Sequence, residues 1–131
     1  MVFLNGAFLP LDEARVPVLD RGFIFGDGVY ELIPVYSRVP FRMDEHLARL
    51  ERSLAAVRIT NPYARERWRE IVLELVAKQR WDDQGVYLHV TRGVAKRDHA
   101  FPEGVAPTVF AMSNPLVNPP RELVEIGRAH V

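Results

Sequence analysis

The chain has 131 residues, a mass of 15.0 kDa, 48% hydrophobic and 26% charged residues, which suits one globular domain rather than a disordered segment. Seventeen basic residues balance seventeen acidic ones, so the basic excess expected of a sequence-independent nucleic-acid binder is missing. There is no cysteine, which excludes disulfides, thiolate zinc sites, iron–sulfur clusters and cysteine nucleophiles.

Val2-Phe3-Leu4 and Ala7-Phe8-Leu9 flank Asn5-Gly6, a strong hairpin signal because both turn residues tolerate positive φ. Pro10 ends the second strand. Arg15 to Asp27 reads as an irregular connection, and Gly26-Asp27-Gly28 as a tight turn. Val29 to Tyr36 reads as a strand, with Tyr30, Leu32, Pro34 and Tyr36 on one face and Val29, Glu31, Ile33 and Val35 on the other. Pro34 lacks an N–H, which predicts an edge or a bulge.

A helix follows Pro40-Phe41, with Asp44 and Glu45 in its first turn and an apolar stripe of Leu47, Leu50, Leu54 and Val57. Asn61-Pro62 predicts an N-cap and first position for a second helix, whose stripe is Trp68, Ile71, Val72, Leu75 and Val76. Asp82, Asp83 and Gly85 break that helix. Val86 to Thr91 and Thr108 to Met112 read as strands, Gly93 to Pro107 as a loop, and Asn114 to Pro120 as a linker. The expected class is α+β, a mainly antiparallel sheet with two amphipathic helices. No apolar run approaches a transmembrane span, and the first residues lack a signal-peptide pattern, so the expectation is no membrane association and a cytoplasmic location.

Three groups of residues could carry chemistry. Arg97 and His99 are two apart in the long loop, so in extended backbone they point the same way and could grip one anion. The alternative is a solvated charged loop. His46, Arg49 and Arg52 share a helix face, and Arg49 could hold a phosphate; the alternative is a surface pair with Glu45. Tyr30 could donate to a bound carboxylate, or be a half-buried sheet tyrosine. Gly26 and Gly28 match no phosphate-loop fingerprint, the aromatic strands lack the RNA-binding consensus, and no metal-ligand spacing stands out.

Taken together, Leu19-Asp20-Arg21-Gly22-Phe23-Ile24-Phe25-Gly26-Asp27-Gly28-Val29-Tyr30-Glu31 resembles the opening block of the fold-type IV (class IV) pyridoxal-phosphate-dependent aminotransferases. Phe41-Arg42-Met43-Asp44-Glu45-His46-Leu47-Ala48-Arg49-Leu50 resembles their next block. Thr91-Arg92-Gly93 followed by Arg97-Asp98-His99-Ala100-Phe101-Pro102 is similar to the D-amino acid (D-alanine) transaminase branch. The resemblance covers residues 1 to 120 and implies the N-terminal small domain of such an enzyme.

It further implies that Arg49 binds the phosphate of pyridoxal 5'-phosphate. Tyr30, Arg97 and His99 would form a trap for the substrate α-carboxylate, with Arg97 and His99 reaching into a second subunit of a homodimer. The implied reaction moves an amino group between a D-amino acid and a 2-oxo acid: D-alanine and 2-oxoglutarate give pyruvate and D-glutamate. The family's Schiff-base lysine has no counterpart, because neither Lys78 nor Lys96 has its motif context. The expectation is therefore a fragment, inactive alone, whose lysine-bearing large domain lies beyond residue 131. Ile126-Gly127-Arg128-Ala129-His130-Val131 departs from the family and is similar to a sequencing adapter translated in one frame; the alternative is a natural tail. Competing readings are a branched-chain or other fold-type IV aminotransferase or lyase fragment, and a non-catalytic binding or dimerisation module.

Overall fold

The computed structural model describes residues 1–117. Six strands form one sheet: β1 (Val2–Leu4), β2 (Ala7–Leu9), β3 (Gly28–Tyr36), β4 (Val39–Pro40), β5 (Gln84–Thr91) and β6 (Thr108–Pro115). Their order is β2-β1-β6-β5-β3-β4 and every pairing is antiparallel. Three α-helices accompany them among the described residues: α1 (Arg21–Phe25), α2 (Met43–Ala56) and α3 (Arg65–Ala77). The α+β class expected from the sequence holds. The expected domain boundary at residue 120, and the linker or truncated tail expected over residues 121–131, lie outside the described residues.

One sheet face is apolar and packs beneath α2 and α3. Phe3, Ile33, Val35, Val86, Leu88, Val90, Val109 and Ala111 meet Leu47, Leu50 and Leu54 of α2 and Trp68, Ile71, Val72, Leu75 and Val76 of α3. Burying each large aliphatic side chain contributes roughly 1.5–3 kcal/mol. The two helical stripes follow the 3.6-residue period, except that Val57 lies past the end of α2 and is partly exposed.

The other sheet face carries Tyr30, Leu32 and Tyr36, all more than half exposed. This is the face separation expected for β3. Pro34 pairs opposite Gly85 without a bulge, and its carbonyl accepts from the Phe41 amide at 2.8 Å. A strand residue's N and C=O point the same way, so the proline nitrogen faces away from β5, where no ladder donor is needed.

Four expectations need correction. The Arg15–Asp27 connection contains a short helix, α1, capped by the Asp20 side chain on the Gly22 amide at 2.8 Å. Helix α3 starts at Arg65 rather than after Pro62. Asn61 accepts instead from the Trp68 indole at 2.9 Å, satisfying the N–H of a side chain only 1% exposed. Strand β4 has no sequence signal, because its turn, Ser37-Arg38, is not the Asn-Gly type of pair that a two-residue hairpin favours. Both take positive φ (49° and 63°). The turn is held from outside: Asp83 accepts from the Ser37 amide, and Arg38 donates to the Asp82 carboxylate and to the Val76 and Gln79 carbonyls. Finally, β6 runs on to Pro115, so Asn114 and Pro115 belong to a strand and not to a linker.

Candidate functional site

The β3 strand positions two of the candidate groups on opposite faces. Glu31 alternates with Val29, Ile33 and Val35 and so points under α2, 4% exposed. There its carboxylate accepts two hydrogen bonds from Arg49, at 2.8 and 2.9 Å, and one at 2.8 Å from His46 Nδ1. The Glu45 partner weighed for Arg49 is not used; Glu45 pairs with Arg42. Burial pushes the Glu31 carboxyl up, but the hydrogen bonds and charges of Arg49 and His46 outweigh it, and the group sits below its ordinary value. Arg49 keeps its side chain 60% exposed, with Nη1 outside the Glu31 pair. It lines a groove of about 280 Å³ together with Arg42, Glu45, His46 and Arg52. Glu31 thus fixes the fork of Arg49 while leaving part of it free for an anion.

Because the folded state lowers the Glu31 pKa, its ionic contribution is present above the unfolded value near 4.5 and is lost as pH falls through the folded value. We expect Glu31→Gln to lower stability by about 1–2 kcal/mol at pH 7, discounted for the exposed Arg49. At pH 3, well below the unfolded value, the difference should be smaller, because the ionic contribution is lost as pH falls through the folded value. Urea unfolding at the two pH values measures it; an equal difference at both would remove the ionic role.

Tyr30 points to the open face. Its ring lies 5.8 Å from that of Tyr87 on β5, and Tyr87 lies 5.7 Å from His89. Tyr30 also contributes, after the larger effect of Glu31, to holding the Arg49 guanidinium above its ordinary pKa. Gly28, two residues earlier, has no room for a side chain: a Cβ there would lie 2.6 Å from the Val90 carbonyl oxygen. His89 borders a pocket of about 320 Å³ with Phe23, Thr91 and Phe110, and burial pushes its pKa down, partly offset by Asp20.

Arg97 and His99 both approach the Phe25 ring. The Arg97 Cζ is 5.8 Å from the Phe25 centroid, and the His99 ring is 5.6 Å from it. Both side chains are exposed, and among the described residues neither meets a carboxylate. The structure therefore brings Arg97 and His99 to the same ring, and sets Tyr30 on the sheet face opposite the Glu31–Arg49 pair. Among the described residues it shows no contact between Tyr30 and the Arg97/His99 pair.

Sequence reasoning missed the supports beneath these groups. Asp20, 1% exposed, accepts from Thr91 Oγ1 at 2.7 Å, Thr108 Oγ1 at 2.6 Å and the Gly22 amide, which pins α1 to β5 and β6. Asp27 accepts from Arg21 at 2.8 Å and from Arg92 at 2.7 and 3.1 Å. Burial raises the Asp27 carboxyl, but the Arg92 and Arg21 hydrogen bonds win and hold it below its ordinary value. Arg92 also donates to the Val57 and Arg58 carbonyls at the end of α2. One signal was available: Glu31 falls on the apolar register of its strand, where a carboxylate needs partners. The pairings themselves span up to 88 positions and leave no local trace.

A family model described as amino-transferase class IV matches residues 28–130. The chain is 40% identical over 121 residues to a D-alanine aminotransferase of Bacillus licheniformis, covering 92% of this chain and 43% of that protein. It is 39% identical over 113 residues to the D-alanine aminotransferase of Staphylococcus haemolyticus, covering 86% and 40%. The chain thus spans about two fifths of the length of these curated relatives. Among solved structures, the branched-chain aminotransferase of the archaeon Thermoproteus uzoniensis with norvaline superposes with a TM-score of 0.79 at 25% identity, covering 89% of this chain and 41% of that one. The 4-amino-4-deoxychorismate lyase of Pseudomonas aeruginosa gives 0.77 at 29% identity, covering 93% and 42%. The antiparallel sheet with its two long helices matches the small domain of fold-type IV aminotransferases, and the chain belongs to the class IV amino-transferase family.

Proposed function

We propose that this chain is the substrate-binding small domain of a D-amino acid transaminase, spanning residues 1 to 120. The reaction is the reversible exchange of D-alanine and 2-oxoglutarate for pyruvate and D-glutamate. The observation that carries this reading is the Arg97/His99 pair: two donors that both lie against the Phe25 ring, exposed, and without an acid partner among the described residues. The 40% identity to a D-alanine aminotransferase over 92% of the chain supports it. The branched-chain structures share the fold at lower identity.

The donor set fits pyridoxal 5'-phosphate. Arg49, aligned by Glu31, and its neighbours His46, Arg42 and Arg52 suit a phosphate dianion. When bound, the cofactor supplies an electron sink for charge developing at the substrate Cα. The chain's own residues bind and orient. Arg97 offers a planar fork to the substrate carboxylate, the His99 imidazole adds a second donor, and the Tyr30 phenol a third. Holding one carboxylate at several points decides which face of Cα is presented, so the trap sets stereochemistry as well as affinity.

Tyr30 and the Arg97/His99 pair do not meet within the chain, so in this reading the trap is completed across a homodimer, in the cytoplasm. No helix among the described residues is long and apolar enough to cross a membrane. Neither lysine fits the covalent role: Lys78 lies over the Phe8 ring, 5.1 Å from its centroid, and Lys96 lies in the trap loop itself. The Schiff-base lysine then belongs to sequence that this chain does not contain.

The test is glutamate formation from 2-oxoglutarate by the full-length enzyme with each amino donor. D-alanine should react at least about a hundredfold faster than L-alanine, since a misaligned Cα costs that much. Faster reaction with L-leucine or L-valine would place the enzyme in the branched-chain group. Anion binding without transfer from any amino donor would favour a binding module.

A further inference from the structure

We infer that Arg21 is the positioning residue of the carboxylate trap, acting through the backbone of the loop that carries Arg97 and His99. The inference rests on the proposed trap but concerns a residue that does not itself hold the substrate.

Arg21 opens α1 and is 4% exposed. Its Nε donates to Asp27 at 2.8 Å. Its Nη1 donates to the Asp98 carbonyl at 2.7 Å and approaches the Ala100 carbonyl at 3.5 Å. Those two carbonyls flank His99. One planar fork therefore ties the backbone on both sides of the imidazole to a fixed anion. The Arg21 guanidinium also lies 4.8 Å from the centroid of Phe25, the ring that supports Arg97 and His99. On the far side, Arg92 grips the same Asp27 carboxylate and lies 3.7 Å from the Phe101 centroid, clamping the loop just beyond the trap.

The stretch from residue 93 to 107 forms no named strand or helix. Its course therefore depends on such side-chain anchors. Two trap donors on an unanchored loop would sample many orientations, and each would have to be ordered again when substrate binds. Lysine could not replace Arg21. Its ammonium is a point charge and cannot bond Asp27 and the loop carbonyls in one rigid plane.

The test uses the full-length enzyme with Arg21→Lys, which keeps the charge. KM for D-alanine should rise about five- to tenfold, the worth of one hydrogen bond's alignment, with kcat changed less than about twofold. Tryptic cleavage after Lys96 and Arg97 should quicken by about tenfold or more while cleavage within α3 stays as it was. In the triple variant with Arg97→Ala and His99→Ala, KM should match that of the Arg97→Ala, His99→Ala pair, because Arg21 acts through both trap donors. Multiplying effects, or unchanged loop cleavage, would overturn the inference even with a working trap. An unchanged KM in Arg97→Ala would overturn the trap itself, and the cleavage measurement would still decide whether Arg21 orders the loop. Should Arg21→Lys fail to fold, Phe25→Leu removes the shelf without touching a charge and must show the same KM shift and loop cleavage.

Discussion

Arg97→Ala in the full-length enzyme should raise KM for D-alanine by about 10- to 150-fold, the range set by losing a charged hydrogen bond worth roughly 1.5–3 kcal/mol. The effect should be large because no neighbouring cation can present the same fork. Lys96, next along the loop, carries only an ammonium, and Arg21 and Arg92 are committed to Asp27. The loss should fall on carboxylate binding, so a substrate amine lacking that carboxylate should be nearly indifferent to the change. Arg97→Lys should recover only part of the affinity, since an ammonium cannot present two parallel donors. His99→Ala and Tyr30→Phe each remove a single donor rather than a planar fork and should cost less. Steady-state kinetics with D-alanine and with D-glutamate test both legs of the reaction. A KM for D-alanine within twofold of the parent enzyme would return Arg97 to the solvated-loop reading.

Much of the sheet and its core could be read from the sequence because the information there is local. Asn5-Gly6 takes positive φ at both turn positions (47° and 95°), as an Asn-Gly pair between apolar runs predicts. The β3 alternation predicts both its buried and its exposed faces, and the two apolar stripes predict the helices. What failed was decided at long range. Ser37-Arg38 turns like Asn-Gly only because Asp82, Asp83 and the end of α3 hold it. Asn61-Pro62 looks like a helix start, but the Trp68 indole claims the asparagine oxygen first.

The candidate site shows the same division. Arg97, His99, Tyr30 and Arg49 were visible as residues with chemistry to offer. What fixes them was not. Glu31 aligns Arg49 from 18 positions away, and Asp27 joins Arg92 across 65. The block from Leu19 to Glu31 holds Asp20, Arg21, Asp27 and Glu31, and the structure gives each a buried or partly buried partner. These four residues of the block thus form supports. Tyr30, in the same block, and the loop residues are those proposed to meet the substrate. Rigid elements carry the anchors, and the loop carries the donors, which is the usual economy of a binding site on a scaffold.

Asp27→Asn should be the most destabilising polar substitution in the domain, by about 3–5 kcal/mol at pH 7, because it leaves two buried guanidiniums without their counter-ion. The side chains of Arg21 and Arg92 are 5% and 8% exposed, so water cannot take over the role of the carboxylate. Asparagine keeps the shape but offers one acceptor oxygen where two were used, and turns an N–H toward a cation. The folded state lowers the Asp27 pKa, so the contribution is present above the unfolded value near 3.8 and is lost as pH falls through the folded one. Urea unfolding should therefore show a wide gap between parent and variant at pH 7 and a narrower one near pH 3. Pairing Asp27→Asn with Arg92→Met should cost less than the sum of the two, since removing one cation relieves the other change. A loss below 1 kcal/mol at pH 7, or simple additivity in that cycle, would mean the carboxylate is not the counter-ion that holds both guanidiniums in place. If the loss is as large as expected, Arg21 also loses its fixed point, and the same variant should show the rise in KM for D-alanine that a loosened trap loop brings.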